Sequence, residues 1–492
     1  MRNIIRKIKL TAGDLATSNV NPSSSLYCDI ADNLNINVNI TSPPTDSEIM
    51  EKYEDEMWID KDKRLLNENT FAKAFRDINH LLYSNGLFYT KEHRMTQEMI
   101  MRDIWETLDD VGINRDVDKT VNKLLGVVKR ASTVEQLQAN PNIIPFADGD
   151  LYVKEMTYKV FDKSPTPYRL PVTLSLEFQD MPYFNKWLHD LFYDEDIPTI
   201  QEYLGYCLVP TTRAQKALFL VGEGGTGKSR IGSILEAMLG EAMVSVYDYQ
   251  EFMKDKFKLA ELENCLVLYD DDLDSAALDK TGIYKKLVTN DLYITADRKY
   301  GQPFKFRPYT KLVSCCNQML SSTYDNTDGF YRRLLPVVVK PKRADFVPDR
   351  DFDRKLRAEV KGIVQWALMG LIRLQNHNWV LHESQRTKDY LGQKRSAGNH
   401  MPDFMDGAMD FDADATVTSA ELYSVYRWWC GKNSIDPWKQ KAVFTWLTDN
   451  GEKYNVRYST HIPTSNGQRL RGYFGMKPKA AWSVSNGKIP LI

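Results

Sequence analysis

Residues 217–239 read ALFLVGEGGTGKSRIGSILEAML, and this stretch decides the fold of the chain's centre. Ala217 to Val221 is a short, unbroken apolar run, the pattern of a strand buried on both faces. Gly222, Glu223, Gly224, Gly225, Thr226, Gly227, Lys228 and Ser229 follow at once, and from Arg230 the apolar residues recur at helical spacing. Strand, glycine-rich loop and helix form the context in which this octapeptide cradles a phosphate chain. The glycines let backbone N–H groups approach the phosphates, and the helix N-terminus adds positive potential. Lys228 is expected to reach the β and γ phosphates, and the Ser229 hydroxyl to hold Mg2+. ATP and Mg2+ are the expected ligands.

Downstream, CLVLY at 265–269 is a second buried-type strand, and it ends in Asp270, Asp271 and Asp272. Carboxylates at a strand end beside such a loop hold the metal's water shell and prepare the attacking water. Asp271 is expected to be essential, pairing with Ser229 at the metal, and Asp272 to be the second acid. Asp270 stays a competitor, because the choice depends on where the strand stops. A third strand, KLVSCCN at 311–317, closes on Asn317, which could orient the lytic water. Then GFYRRLLPVVV at 329–339 carries Arg332 and Arg333 into another apolar strand, a place suited to an arginine finger or to a surface pair.

Taken in this order, the elements resemble the superfamily 3 helicases, AAA+ motors of small DNA viruses, phages and plasmids, with the phage/plasmid and poxvirus primase-helicase branch most similar. The segments that carry the resemblance are KKLVTND at 285–291, TADRK at 295–299 and QPFKFRP at 302–308. Two short strands around a polar turn are readable there, with Arg298 and Lys299 near the turn. In that family the segment is a hairpin whose basic tip tracks single-stranded DNA in the channel of a hexamer. The resemblance puts Asn317 at sensor 1 and favours Arg333 over Arg332 as the finger acting on a neighbouring subunit. It implies a homo-hexameric, ATP-driven replicative helicase moving 3′ to 5′ on single-stranded and forked DNA. A separate primase, polymerase or initiator is a further candidate partner. Longer members carry an N-terminal primase domain, whereas little precedes Trp58 here, so primer synthesis is not expected. The alternative is an origin-binding or helicase-loader ATPase that uses ATP as an assembly switch.

Around this centre, a length of 492 residues implies several domains, and a net charge of −2 confines any DNA contact to local patches. No cysteine pair has zinc or disulfide spacing, and no apolar run is long enough to span a bilayer, so a cytoplasmic location without membrane contact is expected. Residues 1–55 read as a loosely ordered arm, with one edge strand where Leu34, Ile36, Val38 and Ile40 alternate with polar residues. Residues 56–205 read as a mostly helical, collar-like domain with a small β element. Phe71, Phe75, Ile78 and Leu82 share a helical face there, Asn85-Gly86 is a turn, Thr96 and Asp116 are caps, and Asp148-Gly149 is a hairpin turn. The motor spans 206–375, a parallel sheet with helices on both faces. Residues 376–415 read as a linker with an acidic stretch, and 481–492 as a tail. Residues 416–480 read as a winged helix: Thr418 or Ser419 and Asp436 as helix caps, Gly451 at a helix end, then a hairpin. From Arg427 to Lys479 ten Lys and Arg stand against three Asp and Glu, and Lys439, Lys441, Arg469 and Arg471 would face duplex DNA. The fold class expected is therefore multidomain α/β.

Overall fold

The structure, a computed structural model, describes residues 36–40, 67–91, 94–113, 116–134, 137–160, 163–252, 255–273, 281–289, 293–298, 303–319, 328–342, 349–398, 400–433, 435, 437–463 and 469–482. The chain is mixed α/β and falls into two compact units. Residues 1–273, 283–318 and 337–384 make the first, and 274–282, 319–336 and 385–492 the second. Among the described residues no helix is long and apolar enough to cross a membrane.

The first strand, β1 (Asn37–Ile40), lies where alternation places it. The helix Glu68–Ile78 begins at Asn67, whose side chain accepts from the N–H groups of Asn69 and Thr70 at 3.0 and 3.2 Å. Phe71 and Phe75 are buried on one face of it. Leu82 does not continue that face. The chain leaves the helix at Asn79 and His80, the latter with a positive φ of 47°, and Leu82 opens β2 (Leu82–Ser84). Asn85 and Gly86, with φ of 49° and 84°, turn it into β3 (Leu87–Tyr89), as a two-residue hairpin requires. β4 (Arg94–Met95) completes this small antiparallel sheet.

Thr96 caps the helix Gln97–Asp110 by accepting from Met99 N–H at 3.3 Å. Asp116 precedes the helix Val117–Ser132, but its backbone is left-handed (φ 48°) and its side chain accepts no capping bond. The cap read there is thus absent, because a capping side chain needs the extended backbone that Asp116 does not adopt. Ile100, Ile104, Leu108, Leu124 and Val128 close the core between these helices, each contributing about 1.5–3 kcal/mol by burial. β5 (Ile143–Phe146) and β6 (Gly149–Tyr152) form a hairpin across Ala147 and Asp148, and β7 (Thr157–Val160) extends it. β1 then adds parallel to β7, giving the order β1-β7-β6-β5.

The larger sheet runs β14-β8-β13-β10-β9. Its strands are β8 (Ala217–Val221), β9 (Val244–Val246), β10 (Val267–Asp270), β13 (Lys311–Cys316) and β14 (Leu334–Val338). β9, β10, β13 and β8 are parallel to their neighbours. All residues of β8, β10 and β13 are buried, as the mostly apolar runs dictate, and the buried polar side chains among them are Asp270, Lys311 and Ser314. Between β10 and β13 the chain makes a separate antiparallel pair, β11 (Ile294–Ala296) with β12 (Phe304–Phe306).

The span 376–415, read as a linker, carries regular elements among its described residues. It contains a helix at Gln385–Gly398, another at Met401–Ala408, and β15 (Met409–Thr418). The acidic stretch lies on an edge strand whose pairing shifts register between Phe411 and Thr416, so Asp410, Asp412 and Asp414 are exposed to solvent on and beside an irregular part of the ladder. Thr418 caps the helix Ser419–Lys432, accepting from Glu421 N–H at 3.2 Å. The next helix, Gln440–Asn450, starts from Lys439, so Pro437 lies outside it; Asp436 lies outside the described residues. Gly451 does follow its last residue. β16 (Arg457–Pro463) and β17 (Arg469–Pro478) complete a sheet ordered β15-β17-β16, and residues 464–468 between them lie outside the described residues.

Candidate functional site

In an open sheet of parallel strands, ligands bind in the crevice beyond the strands' carboxyl ends. Here that crevice is a cleft of about 750 Å³ in the first unit. It is lined by Gly224 to Arg230, Ser233, Asp271, Asp272, Cys315, Cys316, Asn317 and Asp353. Because β13 lies between β8 and β10, the loop, Asn317 and the acids follow one another across the same edge of the sheet.

The loop between β8 and the helix Arg230–Leu239 is held from several sides. Gly222 N–H donates to the Cys316 carbonyl at 3.1 Å, which ties the loop's start to the end of β13. Gly225 and Gly227 take φ of 74° and 94°, the left-handed region where side chains are strained. The Lys228 ammonium is buried and donates to the Gly222 and Glu223 carbonyls at 2.6 and 2.7 Å, folded back on its own loop. The Thr226 hydroxyl donates to the Glu223 carbonyl at 3.2 Å. Gly222 and Glu223 are not part of the cleft lining. Trp187, from the helix Pro182–Leu191, donates its indole N–H to the Gly227 carbonyl at 3.0 Å. Nothing in the sequence links Trp187 to a loop forty residues on, beyond its place in an aromatic-dense segment.

At the acidic end, β10 stops at Asp270, and the pleat sends successive side chains to opposite faces. Asp270 is buried and accepts from Tyr249 N–H at 2.9 Å, away from the cleft. Loss of water around it raises its carboxyl from 3.8 to about 6. Asp271 and Asp272 are exposed and line the cleft. Asp271 Oδ1 accepts from the Tyr269 hydroxyl at 2.5 Å. Burial keeps the Tyr269 phenol far above its ordinary range, so the proton stays on and the hydroxyl donates. Asn317 follows the last residue of β13 and is exposed in the cleft. Arg230 pairs with Asp353, and Arg357 with Glu236 at 2.9 Å, fastening the helix Phe352–Ala358 beside the loop helix.

Ser229 and Asp271 each bring one hard oxygen donor into the cleft. Among the described residues no three His, Cys, Asp or Glu side chains converge into a metal cage. That donor set fits Mg2+, which is usually held by one or two protein oxygens together with water and phosphate oxygens.

The remaining expected residues lie elsewhere. Arg332 and Arg333 sit directly before β14; Arg332 is exposed and Arg333 donates to the Gly329 carbonyl. Arg298, two residues beyond β11, is partly exposed. Its guanidinium donates to the Asn85 carbonyl and to Glu263, and lies over the Phe304 ring at 4.5 Å. Lys299 lies outside the described residues. In the second unit Lys439, Lys441, Arg469 and Arg471 are exposed, with Lys439 at the start of the helix Gln440–Asn450 and both arginines on β17.

A family of unknown function, DUF5906, matches residues 220–333, a span that opens at the end of β8 and closes on Arg333. Among curated proteins nothing matches the chain. Among solved structures it is similar to an A-form apo structure of the NrS-1 C-terminal region, with 13% identity and a TM-score of 0.45 over 80% of this chain and 95% of that one. A second apo structure of that region gives 14% identity and the same TM-score of 0.45, again over 80% and 95% of the two chains. The functional reading rests on the site itself.

Proposed function

We propose that this chain is an ATP-driven DNA helicase with an AAA+ P-loop core, working as a homo-hexameric ring on single-stranded and forked DNA. One observation carries the reading: a single cleft gathers the Gly224–Ser229 loop, Asp271, Asp272 and Asn317 from three adjacent parallel strands. Loop N–H groups and Lys228 would hold the phosphates, and Lys228 must leave the Gly222 and Glu223 carbonyls to do so. Ser229 and Asp271 would hold Mg2+, which when bound neutralises developing charge on the phosphates. Asp272 and Asn317 would orient the attacking water, and Arg333 would reach the γ-phosphate of a neighbouring subunit.

The topology favours a motor over a plain switch. The β11–β12 pair is inserted between β10 and β13, the two strands whose ends carry the acids and Asn317. A change at the acid-bearing end of β10 therefore has a covalent route to the hairpin, which runs on into the amino end of β13. The alternative, an origin-binding or loader ATPase, draws on the exposed basic residues of the second unit and on the commitment of Arg298 to Glu263.

The test is strand displacement on a tailed duplex, with and without ATP, for wild type and Lys228→Ala. ATP-dependent displacement lost in the variant supports the helicase. ATP hydrolysis without displacement, from assembled rings, would leave the switch reading in its place.

A further inference from the structure

Tyr269 is the residue of β10 immediately before the three acids, and its side chain shares a face with Asp271. It is 5% exposed, so its hydroxyl needs protein partners. The hydroxyl lies 2.5 Å from Asp271 Oδ1, 3.3 Å from the Ser229 carbonyl and 3.6 Å from Cys315 Sγ. Its single proton goes to the charged acceptor at the shortest distance, so the Cys315 thiol is left to donate into the phenol oxygen. The ring is packed against the loop helix at Gly232, where a Cβ would fall 2.5 Å from Cε1. Tyr269 thus touches both walls of the cleft, the helix that carries Ser229 and the strand end that carries Asp271.

We propose that Tyr269 is a positioning residue for nucleotide hydrolysis, its hydroxyl fixing the Asp271 carboxylate relative to Ser229. This rests on the reading of the cleft as a Mg–ATP site. The bond occupies Oδ1 and fixes one rotamer, which leaves Oδ2 as the oxygen for the metal's shell. Without the hydroxyl the carboxylate can rotate, and the metal pair loses its fixed geometry. Gly232 is part of the device, because any side chain there would push the ring out of place.

Tyr269→Phe in the full chain keeps the ring and removes one oxygen. We expect kcat for ATP hydrolysis to fall about tenfold, the effect of losing one hydrogen bond to a charged group. The gain in ATP affinity on adding Mg2+, read by calorimetry, should shrink severalfold, while the thermal unfolding midpoint stays near that of wild type. In an Asp271→Asn background the same substitution should produce no further loss of the Mg2+ effect. A folded Tyr269→Phe variant with unchanged kcat and Mg2+ effect, or an additive loss in the double variant, overturns the inference and leaves the ATP site standing. A wild type that neither binds nor hydrolyses ATP overturns both.

Discussion

The backbone N–H of Tyr249 donates to Oδ2 of Asp270 at 2.9 Å, committing the first of three consecutive acids to the buried side of the sheet. Burial raises that carboxyl to about 6. Its folded pKa lies above its unfolded one, so the native state binds the extra proton between about pH 4 and 6 and loses stability as pH rises through that window. Asp270→Asn removes the titration and keeps an acceptor for Tyr249. The variant should match wild type near pH 4 and exceed it by about 1–3 kcal/mol above pH 7, with ATP turnover little changed. Urea unfolding across this range checks it. A variant that is inactive yet folded would put Asp270 back among the catalytic acids.

Lys228 and Asp271 should fail differently. Lys228→Ala removes the cation for the phosphates and the donor that braces Gly222 and Glu223. Mg–ATP affinity and turnover should both drop, while stability falls by only about 1 kcal/mol, since the carbonyls sit in a solvent-accessible loop. Asp271→Asn should keep metal-free ATP binding, lose much of the gain that Mg2+ adds, and reduce turnover about 100-fold or more, as when one group aimed at transition-state charge is lost. Calorimetry beside steady-state hydrolysis separates the two. Equal loss of binding in both variants would contradict the assigned roles.

The phosphate loop was legible because its chemistry is contiguous: strand, glycines, Lys228, Ser229 and helix follow without a gap. Asp270, Asp271 and Asp272 were legible as a group but not individually, because orientation depends on where the strand ends and on the pleat. Trp187 and Tyr249 were not legible at all, since each acts through a fold-dependent contact to a residue distant in sequence. The second unit misled where composition was read as order. Its Asp-rich stretch belongs to an edge strand, where carboxylates reach solvent and charge count is a poor guide. Arg298 is the instructive case: its place in a hairpin was readable, but its partners, Asn85 and Glu263, come from two other parts of the chain.

Arg298 is therefore expected to act on stability. Glu263 is buried, and burial raises its carboxyl while Arg298 pulls it back down. Arg298→Ala leaves that carboxylate with only the weaker pull of Arg94, at a cost of about 2–3 kcal/mol given partial exposure of the arginine. Asn85 still donates to Glu263 at 2.8 Å. Adding Glu263→Gln should recover much of the loss. Lys299→Ala, by contrast, should leave the unfolding midpoint unchanged and reduce DNA-stimulated ATP turnover. If Arg298→Ala unfolds like wild type but loses DNA stimulation, the arginine belongs to the DNA surface.

The assignment of Arg333 to a neighbour's site has a test independent of the DNA question. In a ring each subunit presents one surface to the next and a different one to the previous, so each ATP site would combine two chains. Lys228→Ala disables a subunit's own phosphate loop, and Arg333→Ala disables the finger it lends. Each variant alone should be inactive. Mixed in equal amounts with free exchange, an intact site arises wherever an Arg333→Ala chain supplies the loop and a Lys228→Ala chain supplies the finger. Random assembly makes that about a quarter of interfaces, so roughly a quarter of wild-type ATP turnover should return if sites act independently. A finger acting within its own chain would restore nothing, since no subunit in the mixture carries both groups. Absence of recovery in rings shown to exchange subunits would therefore remove Arg333 from the shared site.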